Sequence, residues 1–170
     1  MKRPKIINAR LSFQNIFGPL GPEHFVTIHH TAGPKDKSDS HALQLYRQYH
    51  AEHKAKGWGG IGYHYGITRR GTIVLLRPVV LKGAHVGGHN SNNVGVVFHG
   101  TTGDHPTLEQ VKAFRYLLTR SHTRIFPRAY RTDRKLNKPY AERLGHNDWS
   151  GHRSNACPAT HRPILKFRTR

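Results

Sequence analysis

One α/β domain, a central mixed β-sheet flanked by helices, is the fold this sequence predicts, on three observations. Short β-rich runs are interspersed with two amphipathic stretches of helical spacing. The runs do not follow the strict order of repeated βαβ units, so parallel and antiparallel pairings are both expected. Across 170 residues there is no repeat, no low-complexity tract and no composition shift that would mark a second domain. A chain of this size buries roughly two thirds of its unfolded surface, so neither a metal nor a disulfide is needed to hold it folded.

Residues 1–24 carry scattered apolar residues among Gly and Pro and are expected to be an extension packed on the domain, which itself spans 25–160. Phe25 to Ile28 alternates as a short strand ending at His29 and His30. Beyond Gly33-Pro34, Ser38 to Lys56 places Ala42, Leu45, Tyr46 and Tyr49 at three- and four-residue spacing, a helix closed by Gly57, Gly59 and Gly60. Ile61 to Ile67 and Thr72 to Arg77 read as strands of a hairpin turning at Arg70-Gly71. Gly83 to Asn93 is a Gly- and Asn-rich loop, and Val94 to Phe98 a buried strand. Thr107 and Gln110 form a capping box for a helix whose apolar face is Leu108, Val111, Phe114, Leu117 and Leu118. Thr119 to Arg143 is densely basic and weakly periodic, which predicts surface loops with a short helix, and 161–170 is a basic tail.

Lys and Arg number 28 against nine Asp and Glu, a net charge of +19 and a pI near 10.9. That excess predicts a polyanionic partner, whether nucleic acid, anionic lipid or the anionic polymers of a bacterial wall, against the plain alternative of a solvated surface. The basic N-terminus is not followed by an apolar run, so neither a secretory signal nor a membrane span is expected. On that reading the chain is made in the cytoplasm, and something else releases it if it works outside the membrane.

Cys157 is the single cysteine, so no internal disulfide can form. With His146 eleven residues before it and His29 far upstream, it offers one thiolate and two imidazoles. That is a three-ligand zinc set with a fourth position open for water. A small buried hydrophobe or a reactive thiol is the alternative. No carboxylate lies between Glu52 and Asp104, so the H-E-x-x-H arrangement of a glutamate base beside its histidine ligands is absent.

Six segments in register then carry a resemblance: F-V-T-I-H-H-T-A-G at 25–33, G-W-G-G-I-G-Y-H-Y-G-I at 57–67, G-T-I-V-L-L-R-P at 71–78, G-A-H-V-G-G-H-N-S-N-N-V-G-V-V at 83–97, P-T-L-E-Q at 106–110, and G-H-N-D-W through A-C-P at 145–158. Together they resemble the zinc-dependent N-acetylmuramoyl-L-alanine amidases of the bacteriophage lysozyme and peptidoglycan-recognition-protein type. The resemblance implies zinc (Zn2+) in a surface groove, held by His29 in preference to His30, and by His146 and Cys157. It implies hydrolysis of the amide between N-acetylmuramic acid and the L-alanine of the stem peptide, with Tyr63 facing the attacking water. Phage members carry a lysine two residues before the cysteine; Asn155 stands there, so Asn155, or His152 or Arg153 folded over the site, is expected to serve the oxyanion. His85 and Asn90 are expected to bind substrate or to serve their own turn. His64 is read as structural, and Asp148 as holding a ligand ring or its turn. The expected protein is a monomeric, endolysin-like enzyme acting on bacterial peptidoglycan after release, drawn to anionic wall polymers, with no specific nucleic-acid partner. A non-catalytic peptidoglycan-binding module and a basic nucleic-acid-binding protein are the alternatives.

Overall fold

Val26 and Ile28, then Val94, Val96 and Phe98, recur at every second position, and the residues between them are buried as well. Strands of that kind must be covered on both faces. The computed structural model describes residues 2–14, 18–21, 25–119 and 142–158, and covers them with one helix on each side. In chain order the elements are β1 (Ile6–Asn8), β2 (Phe25–His30), α1 (Asp39–Ala55), β3 (Tyr65–Ile67), β4 (Ile73–Leu75), β5 (Asn93–Phe98), α2 (Leu108–Thr119) and β6 (Glu142–Gly145). A single 3-10 turn, His146–Asp148, follows β6. The sheet runs β1-β4-β3-β5-β2-β6. Among the named strands of the described residues only β3 and β4 pair antiparallel, as the hairpin reading expects; the other four pairings are parallel.

Alternation sorts the core. Val26, Ile28, Val94, Val96 and Phe98 pack with Phe114 and Leu117 of α2, whereas Val97, Val74 and Ile61 pack with Ala42 and Tyr46 of α1. Ser38 caps α1 by accepting from the N–H of His41. The Thr107/Gln110 capping box forms in both directions, at 3.0 and 3.1 Å. The Gln110 amide also donates to the carbonyls of Ile67 and His99, tying α2 to the ends of β3 and β5.

Three expectations differ from the structure. β3 starts at Tyr65, not Ile61, because the Arg77 guanidinium gathers the carbonyls of Trp58, Gly60 and Ile61, together with that of Lys82, at 2.7–3.1 Å. Those three carbonyls therefore serve Arg77 and no strand ladder. β1, inside the expected N-terminal extension, is an edge strand on β4. β6 falls at the end of the stretch read as loops and pairs with β2, setting Gly145 beside Ile28. The remaining expectations for 120–141, and the tail at 161–170, lie outside the described residues. No helix among the described residues is long and apolar enough to cross a membrane.

Candidate metal centre

Strand alternation decides between the two adjacent histidines. His29 is in register with Val97 and therefore shares the α1 face of the sheet. His30 turns the other way, where its Nε2 meets Thr102 Oγ1 at 3.1 Å. Because β6 runs parallel to β2, the chain leaves the sheet at His146 just where β2 ends, so both imidazoles gather at the carboxyl edge of the strands. In open α/β sheets that edge is where ligands bind.

The segment after His146 folds back on itself. Asn147 N–H donates to Cys157 O, and Cys157 N–H to Asn155 Oδ1 at 2.8 Å, which closes the loop. Trp149 pins it to the sheet: its Nε1–H donates to Thr27 Oγ1 at 2.9 Å, and its ring lies edge-on to Phe25 and stacked on His89. Cys157 Sγ thereby comes within 3.7 Å of His29 Nδ1, and the backbone N–H of His30 donates to it at 3.3 Å.

One ligand atom from each of His29, His146 and Cys157 lies within 4.8 Å of the others. A tetrahedral zinc with ordinary Zn–S and Zn–N bonds would set sulfur and nitrogen about 3.6 Å apart, so the spacing and the donor set fit that ion. Electrostatics agree on the nitrogen side. Burial first, then the neighbouring imidazoles of His85 and His146, depress His29 well below the ordinary histidine range. Burial and His152 bring His146 to about 4. Both rings are therefore neutral at pH 7 with lone pairs available. The thiol is different: burial pushes Cys157 up to about 11, partly opposed by the His30 N–H.

Tyr63, just before β3, brings its ring centroid to 4.9 Å from that of His29, and burial raises its hydroxyl well above the usual phenol range. His85 is buried behind His29, its Nδ1 3.1 Å from His29 Nε2. Asn90 spends its amide oxygen on the N–H groups of His85 and Val86. Arg153 and Asn155 are exposed on the turn before Cys157. Asp148 caps its turn through Gly145 N–H, and fully buried His64 bridges Leu81 O and Gly95 N–H. Sequence reasoning did not anticipate three contacts: the Trp149–Thr27 anchor, the His30 main-chain bond to sulfur, and the pairing of His152 Nδ1 with His146 Nε2 at 3.1 Å. A tryptophan in an otherwise polar stretch was the one visible signal for the first.

A family model described as N-acetylmuramoyl-L-alanine amidase matches residues 19–160. The endolysin of Escherichia phage T7 is 30% identical over 100 residues, covering 49% of this chain and 66% of that protein. The endolysin of Enterobacteria phage T3 is 32% identical over 88 residues, covering 52% and 55%. The chain thus spans about half to two thirds of the length of these curated relatives. Among solved structures, Drosophila PGRP-LB superimposes with a TM-score of 0.74 at 25% identity, covering 93% of this chain and 89% of that one. The N-acetylmuramoyl-L-alanine amidase LysC of Clostridium intestinale gives 0.70 at 23% identity over 95% of both, a likeness of fold. Matched over most of its length, this chain belongs to the N-acetylmuramoyl-L-alanine amidase family.

Proposed function

We propose that the chain is a zinc-dependent peptidoglycan hydrolase of the endolysin kind, cleaving the amide between N-acetylmuramic acid and the L-alanine of the stem peptide. The observation that carries this reading is the convergence of His29, His146 and Cys157, remote in sequence, within 4.8 Å of one another. A zinc ion held there would bring the pKa of a coordinated water to about 7 and polarise the scissile carbonyl. His29 and His146 would hold the ion as neutral rings and Cys157 as thiolate. Tyr63, protonated at any working pH because of its burial, stands beside His29 as a hydrogen-bond donor. Its hydroxyl orients the nucleophile or the developing oxyanion and does not act as a phenolate base. Arg153 and Asn155, exposed on the turn before Cys157, are the groups that would serve the developing oxyanion in place of the family's lysine. The net charge of +19 directs the protein, as a monomer, to the anionic wall once it has been released.

A module that only binds peptidoglycan would need neither the thiol nor Tyr63. The test pairs metal content with clearing of a purified cell-wall suspension, for the parent chain and for Cys157→Ala. About one zinc per chain, lysis lost in the variant, and new N-terminal alanine without new reducing sugar are expected. Lysis that survives the substitution, or new reducing ends, overturns the proposal.

A further inference from the structure

Each histidine of the metal centre is backed by another histidine, and each backing histidine ends on a backbone carbonyl. His29 Nε2 lies 3.1 Å from His85 Nδ1, and His85 Nε2 lies 3.1 Å from Asn93 O. On the other side, His146 Nε2 lies 3.1 Å from His152 Nδ1, and His152 Nε2 lies 2.9 Å from Gly87 O. A carbonyl oxygen can only accept, so the Nε2 of His85 and of His152 must each carry a hydrogen. In a neutral ring the Nδ1 atom is then a bare lone pair, which can only accept in turn. That forces the hydrogen onto Nε2 of both His29 and His146, and leaves both Nδ1 atoms as unprotonated lone pairs. For His29, Nδ1 is indeed the atom that faces Cys157 Sγ.

We propose that His85 and His152 are a matched pair of positioning residues that lock both ligand histidines as Nε2–H tautomers, so that each presents Nδ1 to the metal. Both chains of bonds use the 83–93 loop: one runs through His85 into β5, and the other runs from the turn after β6 through His152 back to Gly87. His85 has no freedom to do otherwise: a Cβ at Gly83 or Gly95 would fall 2.5 or 2.7 Å from its ring, so two glycines clear the space it fills. His152 is half-buried within the S-G-H-R-S-N stretch between His146 and Cys157. The usual partner of a metal-bound histidine is a carboxylate, carbonyl or water. An imidazole orients the ring as a carboxylate does and adds no negative charge. The Cys157 thiolate is then the only anion among the groups just named, and the metal keeps more of its Lewis acidity.

The tautomers can be read without metal and without activity, from two-bond 1H–15N correlations of the imidazole rings in the 15N-labelled, metal-free chain. Nε2–H signatures for His29 and His146 are expected. An Nδ1–H signature on either overturns the proposal. The effect on the metal rests on the zinc reading above and is tested by chelator competition. His152→Leu removes the acceptor, and zinc affinity is expected to fall about 10–100-fold. His152→Asn keeps an oxygen near the Nδ1 position and is expected to recover most of that loss. Equal affinities for the parent and His152→Leu overturn the positioning role. Failure of the parent chain to take up zinc overturns the proposed function and leaves the tautomer assignment standing.

Discussion

The backbone N–H of His30 points at the sulfur of Cys157 from 3.3 Å, so the histidine whose ring turns away from the centre still serves it through the main chain. That single bond does not offset burial, and the thiol rests at about 11. With both imidazoles neutral, the metal-free centre at pH 7 carries one proton more than a zinc-loaded one would. Zinc uptake should therefore expel about one proton at pH 6, where a coordinated water is still neutral, and affinity should rise about tenfold per pH unit there and more steeply above pH 7 as that water ionises. Titration calorimetry in two buffers of different ionisation enthalpy measures the proton directly. A buffer-independent heat would show that Cys157 does not bind as thiolate.

Tyr63 is expected to act in turnover and not in metal retention. Its ring touches His29, but burial holds the hydroxyl in its protonated form far above neutral pH. Tyr63→Phe keeps the ring and deletes the donor, so kcat should drop about 10²–10³-fold, the usual loss for one donor to a developing oxyanion. Zinc stoichiometry should stay at the parent value, and no basic limb near neutral pH should vanish from the rate profile. Loss of zinc in this variant would make Tyr63 a structural support of His29.

What could be read in the sequence was whatever chemistry or periodicity wrote locally. The candidate ligands His29, His146 and Cys157 and the neighbour Tyr63 sit in distinctive motifs, and α1, α2 and the β3–β4 hairpin announce themselves by spacing and caps. β6 was not legible, because four residues, Glu142 to Gly145, have no pattern of their own and become a strand only by pairing with β2. His85 shows the same limit: a glycine-rich loop suggests a turn or a groove wall. Only the approach of β5 brings the ring against His29.

Gly95 is the least conspicuous residue the site depends on. A methyl group there would lie 2.7 Å from the buried ring of His85, with no flexible end to give way. Gly95→Ala should cost about 1–3 kcal/mol of stability by overpacking and should weaken zinc binding by moving His85 off His29. Gly103→Ala, whose methyl would meet nothing within 4 Å, is the matched control and should leave zinc affinity unchanged. Denaturant midpoints and chelator competition on both variants check this. Unchanged zinc affinity in Gly95→Ala would detach His85 from the metal centre.

Acid should destabilise the metal-free fold in a window set by histidines away from the ligands as well as by the site itself. His64 is brought to about 4 and His85 to about 3 by burial, and His99 to about 4, against an ordinary value of 6.5. A folded-state pKa below the unfolded one means that the unfolded chain binds more protons between about 4 and 6.5. Stability is complete above 6.5 and is lost as pH falls through that range, at about 1.4 kcal/mol per unit for each fully buried ring. His64 shows why charging is resisted: Nε2 faces Leu81 O and Nδ1 accepts from Gly95 N–H, so a second ring proton would point at a donor. Carboxylates do not confuse the window, since Asp104 at about 2 and the lowered Asp39 act only below it. Denaturant midpoints of the metal-free chain at pH 7, 6 and 5 should therefore fall with a slope of two or more protons taken up on unfolding. A slope near zero would mean that these rings are already charged in the fold.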